Sequence, residues 1–181
     1  MPAMKSVHDL QVDDVFESVG TTVVVLGDIH HKIHEGDYHM GEIIFASKDS
    51  GTVCEALFRT PDSAISCHCT VKVDTIGAAN FQMREGVTVT ASGTVVTAYN
   101  AQRSGGNAAT AVIRSSPTLA ASGTVLPVSL RTGGGEKKSA FGDIGSSREE
   151  FILKNDTDYA LRITSWADGN EMIVTVGWYE V

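Results

Sequence analysis

The most constraining feature of this chain is a run of nine residues in which apolar and polar side chains alternate without interruption. Ile65, Cys67, Cys69, Val71 and Val73 are apolar, and the residues between them are polar. A period of two places the apolar side chains on one face of a β-strand. The run therefore predicts a half-buried strand whose apolar face, including both thiols, points into a core.

Short β-rich runs recur along the chain, separated by glycine, proline and asparagine turn signals. The last run carries Met172, Val174, Val176 and Trp178 on one face and is partly apolar on the other, so we expect it in the middle of a sheet. The pattern favours an all-β fold, an antiparallel β-sandwich of jelly-roll-like type. The predicted strands are 22–26, 41–45, 52–59, 64–73, 87–91, 94–100, 111–114, 124–130, 149–153, 159–166 and 171–180.

The first twenty residues differ in character from the rest, because they mix scattered apolar residues with acidic ones. The spacing of Val12, Val15, Phe16 and Val19 suits a short amphipathic helix, and an extended arm that packs on a neighbouring subunit fits as well. We therefore divide the chain into an N-terminal arm or short helix, residues 1–20, and a single β-sandwich domain, residues 21–181.

Charge and hydropathy limit the partners. The formal net charge of −8, with no lysine or arginine stripe, predicts that the chain does not bind nucleic acid. No run of about 20 apolar residues and no signal-peptide pattern occurs, so we expect no membrane association and synthesis in a reducing cytoplasm. The three cysteines, Cys54, Cys67 and Cys69, are therefore not expected to form disulfides.

Two groups of residues resemble metal sites. The first is the stretch 29–39, where His30, His31, His34 and His39 accompany two carboxylates. Its spacing fits no standard zinc or iron site, so the stretch is interpreted as a polar loop that enters a strand. The second is Cys67-His68-Cys69, whose strand pattern turns both thiols inward and His68 away from them. We assign no metal ligand and no cofactor.

Known catalytic signatures are missing from the sequence. It contains no Gly-x-Ser-x-Gly elbow, no phosphate-binding loop and no dinucleotide-binding glycine pattern. No pair among the many carboxylates stands out as a glycosidase pair. We therefore expect a protein that is not an enzyme and assign no catalytic residue.

The tetrapeptide Ser-Gly-Thr-Val occurs three times, beginning at Ser50, Ser92 and Ser122. A duplicated hairpin would explain it. The preferred interpretation is that glycine makes a turn and Thr-Val opens a strand, because the flanking residues of the three copies do not repeat.

Several short motifs, spread from about His30 to the C-terminus, resemble small virion structural proteins of tailed bacteriophages that decorate or cement the capsid. No match covers residues 1–27, and the resemblance supplies no catalytic residue. The motifs are His31-Lys32-Ile33-His34-Glu35-Gly36, Tyr99-Asn100-Ala101-Gln102-Arg103-Ser104, Ser116-Pro117-Thr118-Leu119 with Gly123-Thr124, Glu150-Phe151-Ile152-Leu153-Lys154 with Thr157-Asp158-Tyr159, Arg162-Ile163-Thr164 and Trp178-Tyr179-Glu180.

The resemblance implies a decoration protein that binds the major capsid protein on the outside of the assembled head, after synthesis in the host bacterial cytoplasm. A homotrimer is the expected oligomer. Two rival functions stay open at this point: a phage tail or neck module that binds a receptor or sugar, and a cupin-like metal enzyme.

Overall fold

The computed structural model describes residues 16–19, 22–25, 28–132, 140–144 and 150–181. Their strands form two main antiparallel sheets, which confirms the all-β sandwich. Sheet I contains, in spatial order, β13 (Ala140–Ile144), β5 (Cys67–Thr75), β16 (Asn170–Glu180), β3 (Tyr38–Lys48) and β9 (Tyr99–Asn100), and β14 (Phe151–Leu153) pairs with the same edge of β5 as β13. Sheet II contains β12 (Thr124–Thr132), β6 (Ala79–Glu85), β15 (Asp158–Ser165), β4 (Val53–Arg59), β10 (Val112–Ser115) and β8 (Thr94–Val95).

One hydrophobic core lies between the two sheets, because alternate residues of their central strands turn toward each other. Trp178 of sheet I meets Phe58 of sheet II edge to face, with ring centroids 5.2 Å apart. Such a pair adds about 1 kcal/mol to the stabilisation from burial alone. Both rings are fully buried, so this contact lies at the centre of the core.

The alternating run is confirmed as the inward face of β5. Cys67, Cys69, Val71 and Val73 are at most 3% exposed. Ile65 is the exception: β5 begins only at Cys67, and Ile65 precedes it and is half-buried. The central position predicted for the last strand is also confirmed, since β16 pairs with β3 on one side and β5 on the other.

The segment between β6 and β12 builds one side of the molecule. It contains β7 (Thr88–Ala91), β8, β9, β10 and β11 (Thr118–Ala121). The strand predicted at 94–100 is wrong as a single element, because residues 96–98 cross from β8, at the edge of sheet II, to β9, at the edge of sheet I. Val96 and Ala98 pack against the core during this crossing, which turns the chain out of either sheet.

Strands β6, β11 and β13 were not predicted. In β6 the alternation is present, since Ala79, Phe81 and Met83 are buried and the residues between them are half-buried. The residue types Gln, Met, Arg and Glu favour helices, and this preference obscures the period. Pairing with β15 and β12 decides the outcome, because propensity is weaker than tertiary packing.

The polar loop predicted over 29–39 is wrong, although the strand that it was predicted to enter is present as β3. The structure has an eight-residue helix, α1 (Asp28–Glu35), followed by β3 from Tyr38. Gly36, with φ of +80°, ends the helix. Its N–H donates to the Ile33 carbonyl at 3.1 Å, and the Asp37 N–H donates to the Lys32 carbonyl at 3.0 Å. This pair of bonds is the Schellman C-cap.

Near the N-terminus, β1 (Phe16–Val19) and β2 (Thr22–Val25) pair antiparallel with each other. The strand predicted at 22–26 is therefore confirmed in essence, and the short helix is wrong for Phe16 and Val19. Residues 1–15 lie outside the described residues, so the role of the arm and the domain boundary stay predictions. Among the residues that the structure describes, no helix has the length and apolar character needed to span a bilayer.

The turn interpretation of the three Ser-Gly-Thr-Val copies is confirmed. Gly51, Gly93 and Gly123 have φ values of 84°, 78° and 63°, and a strand opens within two residues of each. The statement that flanking residues do not repeat is wrong for the second and third copies. Thr88 and Ala91 precede one copy at the same spacing as Thr118 and Ala121 precede the other.

Candidate functional site

Strands β7 and β11 pair only with each other and form a two-stranded ribbon. The ribbon lies against the outer face of sheet II, where Val87, Val89 and Leu119 pack on Leu57 and Ala160. Leu57 and Ala160 belong to a cluster separate from the central core, yet they are only 2% and 0% exposed. The ribbon is therefore an element anchored on the sandwich by its own small core.

The other side of the ribbon faces solvent and carries no charge. Residues 86–102 and 115–130 contain no Asp, Glu, Lys or Arg. At the chain average of 20% charged residues, these 33 positions would hold about six or seven. The exposed side chains of the ribbon itself are small, and they are Thr88, Thr90, Ala91, Thr118, Ala120 and Ala121; Ser92, Thr94, Val95, Ser122, Thr124 and Val125, which follow its two strands, are exposed as well.

A groove of about 680 Å³ lies on the outer face of sheet I, beside the crossing from β8 to β9. Met40, Glu42, Tyr99, Arg103 and Thr175 line it together with the crossing residues. The Tyr99 ring is 56% exposed, and the Arg103 guanidinium lies 5.3 Å from its centroid. The groove has the size of a small-molecule site and is largely apolar, with one cation and one carboxylate.

Two of the sequence motifs that resemble virion proteins meet in space at the end of α1. The Asn100 side-chain amide donates to the Gly36 carbonyl at 2.5 Å and to the Asn107 carbonyl at 2.9 Å. The Gln102 amide donates to the His34 carbonyl at 2.9 Å. These bonds fasten the loop after β9 to the helix C-terminus, so this pair of motifs is structural and supports the groove.

The histidines of the stretch 29–39 separate into different environments. His39 is 2% exposed beside Trp178, and burial lowers its pKa. His30 and His34 are exposed and stack on successive turns of α1, with their Nε2 atoms 2.8 Å apart. Among the described residues, no group of three or more His, Cys, Asp or Glu side chains converges as a metal site. The assignment of no metal ligand stays a prediction.

The Cys67-His68-Cys69 fragment has the arrangement that alternation predicts. Burial raises the pKa of the Cys67 thiol to about 12 and also raises that of Cys69, so both thiols are poor ligands and poor nucleophiles. His68 lies on the outer face, stacks on Tyr179 and hydrogen-bonds Glu150. The Tyr179 hydroxyl donates to the same Glu150 carboxylate at 2.6 Å.

Glu180 makes structural hydrogen bonds that sequence reasoning missed, although the residue belongs to the motif Trp178-Tyr179-Glu180. Its carboxylate accepts hydrogen bonds from the backbone N–H groups of Thr110 and Ala111, at 3.0 and 2.9 Å, and from the Trp178 indole at 3.0 Å. Burial raises the pKa of Glu180, but these donors outweigh it and hold the pKa below the ordinary carboxyl range. Glu180 thus fastens the loop before β10 to the last strand.

Comparison with known proteins gives no identification: no protein-family model matches the chain, and no curated protein matches it. The candidate surfaces therefore rest on the geometry described above, namely the uncharged ribbon on sheet II and the groove on sheet I.

Proposed function

We propose that this chain is a structural protein of a tailed-bacteriophage virion that binds the major capsid protein on the outside of the assembled head and stabilises it without catalysis. The observation that carries the proposal is the exposed face of the ribbon. The two stretches that contain the ribbon, 86–102 and 115–130, hold no charged residue, and the ribbon is fixed to the sandwich through Leu57 and Ala160. Depletion of charged residues is one compositional mark of the centre of a protein–protein interface.

Such a protein stabilises the capsid shell because many copies of it bind to the shell. Each standard interface removes roughly 1,600 Å² from water, and many copies on one shell add together. Closed symmetry uses one patch repeatedly, so we propose a homotrimer, which matches local three-fold junctions of a capsid. The remaining surface is acidic, with a chain charge of −8, which suits an exterior module that does not compete for packaged DNA.

The order of the long strands supports the jelly-roll-like form of this proposal. Strands β3 and β5 lie in sheet I, whereas β4 and β6 lie in sheet II, and the last two strands, β15 and β16, again divide between the sheets. Alternation of successive strands between two sheets is the arrangement of double-sheet jelly rolls, a fold frequent in viral capsids.

A second candidate function is favoured by the groove on sheet I. Tyr99 offers an exposed aromatic ring, and Arg103 and Glu42 supply a cation and a carboxylate at its sides. Rings with nearby planar polar groups suit sugar rings, so the groove supports a receptor- or sugar-binding module of a tail or neck.

Heat release of DNA from particles tests the first proposal. Phage particles that lack the protein are heated with and without the purified chain, and the temperature of DNA release is scored. A decoration protein raises that temperature and saturates at many copies per head. Light scattering of the purified chain measures the oligomer directly.

Failure of the chain to bind these particles would contradict the proposal. Binding on a glycan array that Tyr99→Ala abolishes, together with only a few copies per virion, would move the tail or neck function to first place. Ala46→Glu, on an exposed position of β3 outside the groove, is the matched control for both assays.

A further inference from the structure

The ribbon is built from an internal repeat. Residues 84–95 and 114–125 are 30 positions apart and share seven identical residues in twelve. The identities include Arg84 with Arg114 and the whole Ser-Gly-Thr-Val tetrapeptide. Repetition in sequence at this level, in a segment that forms one surface, implies that the surface presents the same groups twice.

The backbone obeys the same relation. Within the ribbon Thr118 pairs with Ala91, and Thr88 pairs with Ala121. The repeat makes Thr88 equivalent to Thr118 and Ala91 equivalent to Ala121. The two pairs are therefore equivalent to each other. A side-chain carbon at Gly93 would meet the Ser115 carbonyl oxygen. One at Gly123 would meet the Glu85 carbonyl oxygen, and residues 85 and 115 are again equivalent. The ribbon therefore has an internal two-fold axis.

Sheet II shares this axis. Leu57 pairs with Arg114 on one side and with Ala160 on the other, and Ala160 pairs in turn with Arg84. Because Arg84 and Arg114 are equivalent, the axis passes through the Leu57–Ala160 pair, directly beneath the ribbon. In the order β12-β6-β15-β4-β10-β8, the axis then exchanges β12 with β8, β6 with β10, and β15 with β4.

The exposed groups on either side of the axis are the same. Val95 and Val125, which pair with Arg114 and Arg84 on the outer face of sheet II, are 58% and 42% exposed, and the equivalent Thr88 and Thr118 of the ribbon are also exposed. Both halves belong to the uncharged stretches. One chain thus carries two equivalent apolar and hydroxyl patches on a single rigid support.

We infer that the ribbon face of each chain in the proposed homotrimer binds across one of the local two-fold contacts that surround a three-fold junction of the shell, with each half of the ribbon contacting the same site on one of two identical capsid subunits. This inference rests on the proposed function. A surface that repeats itself about a two-fold axis fits a partner that does the same, since both halves then find the same contacts. The chain bridges two subunits, and bivalent attachment exceeds the affinity of either half.

The test uses shells purified from particles that lack the protein and measures binding of the labelled full-length chain. Thr88→Glu and Thr118→Glu, at equivalent exposed positions of β7 and β11, place one charge in each half, and the double variant places both. We expect the two single variants to lose affinity by the same factor, about 100-fold, and the double variant to lose binding altogether. Ala46→Glu on sheet I should bind like the unmodified chain.

Thermal unfolding checks that each variant is folded, and Val95→Ser and Val125→Ser replace any that is not. Unequal losses from the two single variants, or saturation above one chain per two capsid subunits, would overturn the inference while leaving the proposed function intact. A change of oligomeric state in the Thr88→Glu or Thr118→Glu variant would overturn it too, because the ribbon would then bind a second copy of this chain. Absence of any binding by the unmodified chain would contradict the proposed function itself.

Discussion

Leu57 on β4 and Ala160 on β15 are direct register partners, and both are buried on the outer face of sheet II by the ribbon. Leu57→Ala removes most of the side chain on which Val89 and Leu119 rest. We expect the free energy of unfolding to fall by about 3 kcal/mol, from lost burial and the cavity left behind. Urea denaturation measures it. Ile44→Ala, at a position that is 55% exposed, should cost less than about 0.5 kcal/mol, and equal costs would show that the ribbon does not cover Leu57.

Substitutions at Gly93 and Gly51 distinguish two costs of adding a side chain: the strain of a positive φ and the clash with neighbouring backbone. Both residues have φ near 80°, at 78° and 84°. A Cβ at Gly51 meets nothing within 4 Å, whereas a Cβ at Gly93 meets backbone atoms of Ser115 and Pro117. We expect Gly51→Ala to cost about 1 kcal/mol from the left-handed conformation alone. Gly93→Ala should cost at least about 2 kcal/mol more, and similar midpoints of thermal unfolding for the two variants would contradict the close approach.

Glu180 makes the free energy of unfolding depend on pH in the acidic range. Its folded pKa lies below the unfolded one, so its contribution is fully present above the ordinary carboxyl range, about pH 4 to 5, and is lost as the pH falls through the lowered value. Glu180→Gln should therefore melt below the unmodified chain at pH 7, and the gap should narrow as the pH approaches 3. Calorimetry over this range measures the gap. A gap that is constant with pH would show that Glu180 acts by packing alone.

The three free cysteines are all buried, which predicts slow thiol chemistry. With a pKa of about 12 for Cys67, only about one thiol in ten thousand is ionised at pH 8. A disulfide reagent should modify none of the thiols in the folded chain within minutes and all three in denaturant. Rapid labelling of Cys67 or Cys69 in native protein would mean that β5 has the opposite register.

The arrangement of the histidines on α1 predicts that a chelator does not change the stability of the chain. His30 and His34 offer two nitrogen ligands, and Glu35 is engaged by Lys32 at 2.5 Å. A structural metal site needs three or four ligands. We expect EDTA to leave the midpoint of thermal unfolding unchanged. A decrease that Zn²⁺ reverses, and that His30→Gln removes, would assign a metal to α1.

The alternation of apolar and polar residues allowed most of the fold to be predicted from the sequence. It located β5 and β16 with their buried faces, because period-two burial in a central strand leaves a direct trace in residue type. It did not locate α1, where an eight-residue helix is decided by the Schellman cap at Gly36 and by Asn100, which is 64 positions away in sequence. Contacts of that range have no local signature.

The candidate site was less accessible to sequence reasoning. The repeated Ser-Gly-Thr-Val was visible, but the first copy, at Ser50, lacks the preceding Thr and Ala that the other two copies share, and this obscured their common spacing. Equivalence became clear only from the pairing of Thr88 with Ala121 and of Ala91 with Thr118. The groove depends on the crossing at residues 96–98, and the run Thr94 to Asn100 has the composition of an uninterrupted strand.

That crossing also limits how far the two sheets can move relative to each other at one edge of the sandwich. On one side only three residues join the edge strand of sheet II to the edge strand of sheet I, so a force that slides one sheet over the other is carried there by covalent backbone. From Val95 to Tyr99 an extended backbone spans at most about 14 Å, so the two sheets cannot move far apart at this edge while β8 and β9 keep their partners.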